Sequence, residues 1–435
     1  MPDAPTLFLS VSLIGVAFTW NAYSPRRPQT WLAIPSFFAG WLTSEMPVHH
    51  IAWQLVATVG FAAAGALSAW PGWLGLGLSV VSWAALMRQV SESDRCEQVV
   101  DAALREALGD AAGPLQAPLE RVPARPQVNP FRFARHDVEV RRDVRYAEGA
   151  GRRRLLDVYA PADAPRDAPV LFQVHGGAWV IGDKREQALP LMHHMASRGW
   201  ICVAANYRLS PRATFPDHLV DLKLAVRWIR ENIADFGGDP DFVAATGGSA
   251  GGHLSALLAL TANDPEYQPD FEHVDTTVRA CVPFYGIYDF ANRFERDSYE
   301  GFERFLARTV FKKRLAEDRV AYEKASPVAR VHADAPPFFV IHGSHDSLAP
   351  VDEARDFVSL LREVSKSPVA YAEIPGAQHA FEIFHSVRTT HVVRGVDRFL
   401  TAVHRGAVHR PAQPIGLGGA DDRAGAVAAG AAATS

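Results

Sequence analysis

The chain has 435 residues with 44 Lys and Arg against 48 Asp and Glu, a net charge of −4 that offers no electrostatic footprint for nucleic acid. Three well-separated cysteines, Cys96, Cys202 and Cys281, without any C-x-x-C spacing argue against both a disulfide framework and a thiolate metal site. The length allows two or three units, one with a large core.

Residues 1–90 read as a hydrophobic, membrane-embedded helical region. From Met46 to Met87 there is no Asp, Glu, Lys or Arg, and Ile51–Trp70 is an apolar run whose helix would span ~30 Å, the hydrocarbon thickness of a bilayer. Pro71 breaks that run before a second segment, Leu74–Met87, and Thr6–Trp20 and the shorter Trp31–Thr43 lie upstream. An aspartate at position 3 is foreign to the basic start of a cleaved signal peptide, so a multi-pass membrane protein with two to four spans is expected. Arg26 and Arg27 favour a cytoplasmic loop after the first segment, and Arg88 with Arg95 a cytoplasmic end after the last. Both hold only if an odd number of the last three segments fails to cross, and Trp31–Thr43 is the shortest. On sequence alone, the side that holds the rest of the chain stays open.

Residues 91–136 read as a helix, Ser91–Asp110, with Val99, Val100, Ala103, Leu104 and Leu108 at helical spacing, followed by the Pro-rich linker "AAGPLQAPLERVPARPQVNP", a possible cap. From 137 to 405 strands and helices alternate. Strands are expected at Val138–Tyr146, Arg154–Tyr159, Val170–Val174, Ile201–Ala205, Phe242–Thr246, Ala280–Phe284, Phe338–Ile341 and Val369–Ile374. Helices fit at Leu219–Ile233, Ala250–Leu260 and Glu353–Val364. This alternation predicts an α/β domain with a mostly parallel sheet and helices on both faces. The Ala/Gly-rich tail, 406–435, has too little to bury and is expected to be disordered.

Three motifs in this domain carry chemistry. "GGSAGGH" puts Ser249 between an expected strand and an expected helix, where so tight a turn leaves room only for tiny neighbours. The G-x-S-x-G pattern alone arises about one time in eight in a random chain of this composition, so its context matters. "VLFQVHGGAW" ends a strand at glycines whose N–H groups can face an oxyanion; Gly176, Gly177 and, at the helix start, Ala250 are the candidate donors. In "HGSHDSLAP" Asp346 follows a strand as the candidate orienting carboxylate, and in "IPGAQHAF" His379 follows the next strand as the candidate base. His253, His342 and His345 are excluded because none occupies a loop after a strand C-terminal to the acid. Asp352 fits a helix-start role better.

The order Ser, Asp, His belongs to α/β-hydrolases. With "HGGAW", "NYRLSP", "GGSAGGHL", "HGSHDSLAPV" and "HAF", residues 137–405 resemble the hormone-sensitive-lipase-like carboxylesterases and lipases of that superfamily. The resemblance implies an α/β-hydrolase fold, a small-molecule ester substrate, an acyl-enzyme mechanism and no cofactor or metal. Hydrophobic N-terminal extensions also occur in some bacterial members. Two departures stand out: Ala178 replaces the third glycine often seen in the HGGG loop, and Gly248 stands where Asp often precedes the nucleophile. "GGSAGGHL" also resembles the alkylformamidase-like branch, which leaves an amidase or formamidase as an alternative, beside a non-catalytic ligand-binding homologue. Trp179 is a candidate pocket wall, with buried packing as its alternative, and Tyr207 and Arg208 read as structural. Residues 291–327 read either as part of a lid or as a surface insertion.

Overall fold

The computed structural model describes residues 3–25, 33–113, 129–163, 166–296 and 299–406. Most of the Pro-rich linker and the expected tail from 407 onward lie outside them.

Among the described residues four α-helices open the chain: α1 (Ala4–Tyr23), α2 (Ala33–Glu45), α3 (Pro47–Ala63) and α4 (Trp70–Leu108). Asp3 caps α1 by accepting the Thr6 N–H at 3.0 Å. Helices α1 and α4 run parallel, since Ser12 meets Ser79 at 3.1 Å, Thr19 meets Ser82 at 2.7 Å and the Tyr23 hydroxyl donates to the Ala85 carbonyl at 2.7 Å. Helix α3 returns antiparallel to α1, with Phe61 stacked on Phe8 and His50 against Phe18. Small and hydroxylated residues fill the interior of this bundle, and Leu13, Ile14, Val56, Val59, Val80 and Val81 face outward.

Two expectations change here. The run Ile51–Trp70 is not one helix: α3 stops at Ala63, and Gly65 adopts the left-handed conformation (φ +83°) that turns the chain into a short 3₁₀ turn before α4. The apolar segment Leu74–Met87 and the polar helix Ser91–Asp110 are continuous in α4, whose second half leaves the bundle to pack on the α/β domain.

Among the described residues that domain holds eight strands: β1 (Val138–Arg145), β2 (Leu155–Pro161), β3 (Ala168–Val174), β4 (Ile201–Ala205), β5 (Gly238–Gly248), β6 (Ala280–Phe284), β7 (Phe338–Gly343) and β8 (Val369–Ile374). They form one sheet in the order β1-β2-β4-β3-β5-β6-β7-β8, parallel from β4 onward, with β2 antiparallel to both β1 and β4. The central strands are buried on both faces, as their continuous apolar runs require. Helices α5 (Leu189–Ser197), α6 (Asp217–Asn232), α7 (Ala250–Leu260), α8 (Tyr299–Thr309), α9 (Arg319–Lys324), α10 (Val351–Val364) and α11 (Val387–His404) complete it. Two apolar cores result: one holds α6, α7 and α10, and the other α5, α11 and the second half of α4. This is the α/β-hydrolase fold.

Candidate active site

Strands β5, β6, β7 and β8 are parallel neighbours, so the loops leaving their C-terminal ends converge at one edge of the sheet. Ser249 leaves β5 with φ +59° and ψ −121°, and α7 begins at the next residue. A non-glycine residue held there stores about 1–3 kcal/mol of strain, which the surroundings must hold in place. The adjacent glycines have no room for a side chain: a Cβ on Gly251 would sit 2.1 Å from the Val174 carbonyl oxygen.

Asp346 follows β7, and its buried carboxylate is fully engaged. Oδ1 accepts the Leu348 and Ala349 N–H groups at 2.8 and 2.7 Å; Oδ2 meets His379 Nδ1 at 2.7 Å and His342 Nε2 at 3.3 Å. Burial alone would raise this carboxyl, but the charge of His379 and the bonds from His342 and His379 outweigh it and hold the group well below the ordinary carboxylate range. Asp346 and His379 are thus brought together. Among the described residues, no hydrogen bond joins His379 to the Ser249 hydroxyl.

The three candidate oxyanion donors separate. The Gly176 N–H already donates to Gln187 Oε1 at 2.6 Å, so it is withdrawn from the set expected in sequence; the side chain of Gln187 reaches it from just before α5. Gly177 and Ala250 remain. Gly177 has φ +112°, and a Cβ there would meet the Ile181 carbonyl oxygen at 2.2 Å, so only glycine fits. The Tyr207 hydroxyl donates to the His175 carbonyl at 2.9 Å and its ring stacks on His175, bracing this loop, while Arg208 pairs with Asp221.

Trp179 turns into the core. Its indole N–H donates to His253 Nδ1 at 3.2 Å and its ring packs against Phe290 and Phe302. The insertion that contains α8 and α9 covers this cluster. His253 is a buried core histidine bonded to the Ala325 carbonyl, and burial pushes its pKa down to about 3. His345 bonds to the Ala22 carbonyl of α1 at 3.1 Å.

Four residues escaped sequence reasoning. Gln378 Oε1 accepts both the Ser347 N–H at 2.6 Å and the His379 N–H at 2.9 Å, tying the acid loop to the base loop. Gln187 occupies Gly176, as above. Tyr285, after β6, has φ +36°; its ring lies 4.5 Å from that of His379, and its hydroxyl would be 2.6 Å from a Cβ at Gly248. That phenol takes the space that a larger residue before Ser249 would need. The fourth is Phe37 of α2, whose ring packs T-shaped against that of His379 with centroids 6.2 Å apart. Only adjacency to His379 marked Gln378, and nothing local marked the others.

A family model, BD-FAE, matches residues 156–361. The probable carboxylic ester hydrolase LipM of Mycobacterium tuberculosis is 44% identical over 94% of this chain and 96% of its own length. Esterase LipQ of the same organism is 40% identical over 84% of each chain. Among solved structures, the butyrate-bound thermophilic esterase Est2 of Thermogutta terrifontis is 25% identical with a TM-score of 0.52, covering 63% of this chain and 96% of that one.

Proposed function

The chain belongs to the hormone-sensitive-lipase-like esterases of the α/β-hydrolase superfamily and is a carboxylic ester hydrolase; from that premise we propose that it works as a membrane-anchored serine esterase with Ser249, His379 and Asp346 as its triad. The observation that carries this reading is the 2.7 Å bond between His379 Nδ1 and the buried Asp346 carboxylate at the sheet edge where the strained Ser249 turn stands. Asp346 fixes the tautomer in which Nε2 is free to accept a proton. As substrate binds, the Ser249 hydroxyl comes within reach of Nε2 and gives up its proton while its oxygen bonds to the ester carbonyl carbon. The N–H groups of Gly177 and Ala250 receive the oxyanion. His379 then protonates the alcohol oxygen as the C–O bond breaks. Water repeats the sequence on the acyl-serine and releases the acid.

We further propose that α1, α3 and the first half of α4 cross the membrane. Two of these helices, α1 and α4, are long and apolar enough to span. The 17 residues of α3 give ~25 Å, within reach of a thinned or locally adapted bilayer. Helix α2 does not cross: it lies at the end of the bundle beside the α/β domain, bonded to Asn21 through Ser36, to the Ala380 carbonyl through Trp41, and to Arg388 through Glu45. Three crossings put the segment with Arg26 and Arg27 on the same side as Arg88 and Arg95, which by the positive-inside rule is the cytoplasm. The α/β domain then lies inside.

Ester and formamide substrates offered to the wild type and to Ser249→Ala test the chemistry: esters should be cleaved by the wild type alone, and turnover of formamides alone would overturn the reading. Protease added to right-side-out and to inverted membrane vesicles tests the topology, with digestion of the α/β domain expected only in the inverted ones.

A further inference from the structure

We infer that the substrate's alcohol part is a hydrocarbon chain residing in the bilayer, and that α2 is the element that receives it. This rests on the triad proposed above. In that mechanism His379 Nε2 takes the proton from Ser249 and hands it to the departing alcohol oxygen, so the alcohol must lie on the His379 side of the scissile carbonyl. What lies on that side is α2. The His379 ring has the Tyr285 and Phe37 rings packed against it, and the carbonyl of the next residue, Ala380, accepts the Trp41 indole N–H at 2.8 Å.

From Phe37 an aromatic series runs outward. Its ring is 5.0 Å from Phe38 and 5.3 Å from Trp41; Trp41 is 4.5 Å from Phe384, which is 5.3 Å from Phe131. Both ends of the series, Phe38 and Phe131, are exposed, as are Ile34 and Leu42, which share one face of α2 with Phe38. Helix α2 offers nothing to a polyhydroxylated alcohol such as a sugar. Its Ser36 hydroxyl donates to Asn21, Thr43 and Ser44 bond back to the carbonyls of Ala39 and Gly40, and its one carboxylate, Glu45, is buried against Arg388 and Ser386. A leaving group there meets rings and aliphatic side chains at the bilayer surface, where aromatic residues collect.

The test uses two constitutional isomers, hexadecyl acetate with the chain on the alcohol and methyl heptadecanoate with it on the acid, presented in the same micelles to the full-length protein. The wild type should favour hexadecyl acetate in kcat/KM by about tenfold or more, the scale of discrimination available to an apolar pocket. That ratio should fall toward one in Phe37→Ala, and also in Phe38→Ser, whose exposed site makes misfolding a poor explanation. Preference for methyl heptadecanoate, faster cleavage of a peracetylated sugar, or an unchanged ratio in both variants would overturn the inference. If the wild type cleaves p-nitrophenyl acetate but neither isomer, only this inference falls. If Ser249→Ala still cleaves the esters, the triad reading itself falls.

Discussion

The N-terminal bundle buries far more small and hydroxylated residues than the α/β domain does, with Phe8 and Leu86 among its few large buried side chains. In the domain Phe172, Val203, Leu257 and Ile341 are wholly buried, as removal of apolar area from water demands. In the bundle Ser12, Thr19, Ser79 and Ser82 are inside and hydrogen-bonded, while Val56 is 74% exposed and Val81 64%. With lipid outside, as proposed above, large apolar residues would gain nothing by turning inward, and close approach of small residues and shared hydroxyl bonds would hold the helices together instead. Under that proposal the chain folds in two solvents, and α4 passes from one to the other.

Ser249→Ala should have the largest effect, on the domain alone. Ester turnover should drop at least about a thousandfold while the protein still inserts into membranes, measured by hydrolysis and by membrane fractionation. Next comes Arg388, where the two regions are joined: it donates to the Ser44 carbonyl, Glu45, Gln89 and the Pro375 carbonyl from a fully buried position. Arg388→Ala strands the Glu45 carboxyl in the interface and should cost about 3–5 kcal/mol, read as a lowered midpoint of thermal inactivation. Val56→Lys sharpens the contrast itself. In water such an exposed substitution is nearly neutral, whereas at the middle of a crossing helix it should cost about 2.5–3.5 kcal/mol of insertion free energy, seen as loss of membrane-integrated protein. Full retention in the membrane would deny the bundle its lipid environment.

A comparable effect, spread over a pH range, belongs to the domain. Burial pushes the Glu353 carboxyl, which accepts the Tyr288 and Asp289 N–H groups, up to about 7. The folded state therefore keeps a proton that the unfolded chain has already released, so stability falls as pH rises from about 4.5 to about 7 and then levels. Glu353→Gln should flatten that slope by on the order of 3 kcal/mol in denaturation measured across this range.

Much of this was legible in the residues. All eight strands fall where alternation and apolar runs put them, with β4, β6 and β8 matching their expected bounds. Ser249, Asp346 and His379 stand near the C-terminal ends of β5, β7 and β8 because each follows a strand within a few residues, and local order is what a sequence records best. The break within Ile51–Trp70 was not legible, since Gly65 resembles any other small residue in an apolar run until its dihedral is known. Gly176 was misjudged because the partner that takes its N–H, Gln187, stands eleven residues away beyond an irregular loop.

The sequence by itself determined the strand pattern, the motif order and the uncharged stretch from Met46 to Met87, because these depend on spacing and on side-chain type. Only the tertiary structure decided that α2 lies against the His379 loop, that Tyr285 fills the space beside Gly248, and that Arg388 ties the bundle to the domain. Each of these joins residues tens to hundreds of positions apart. Such pairs are set by which faces remain once every element has packed, and no local pattern carries that information.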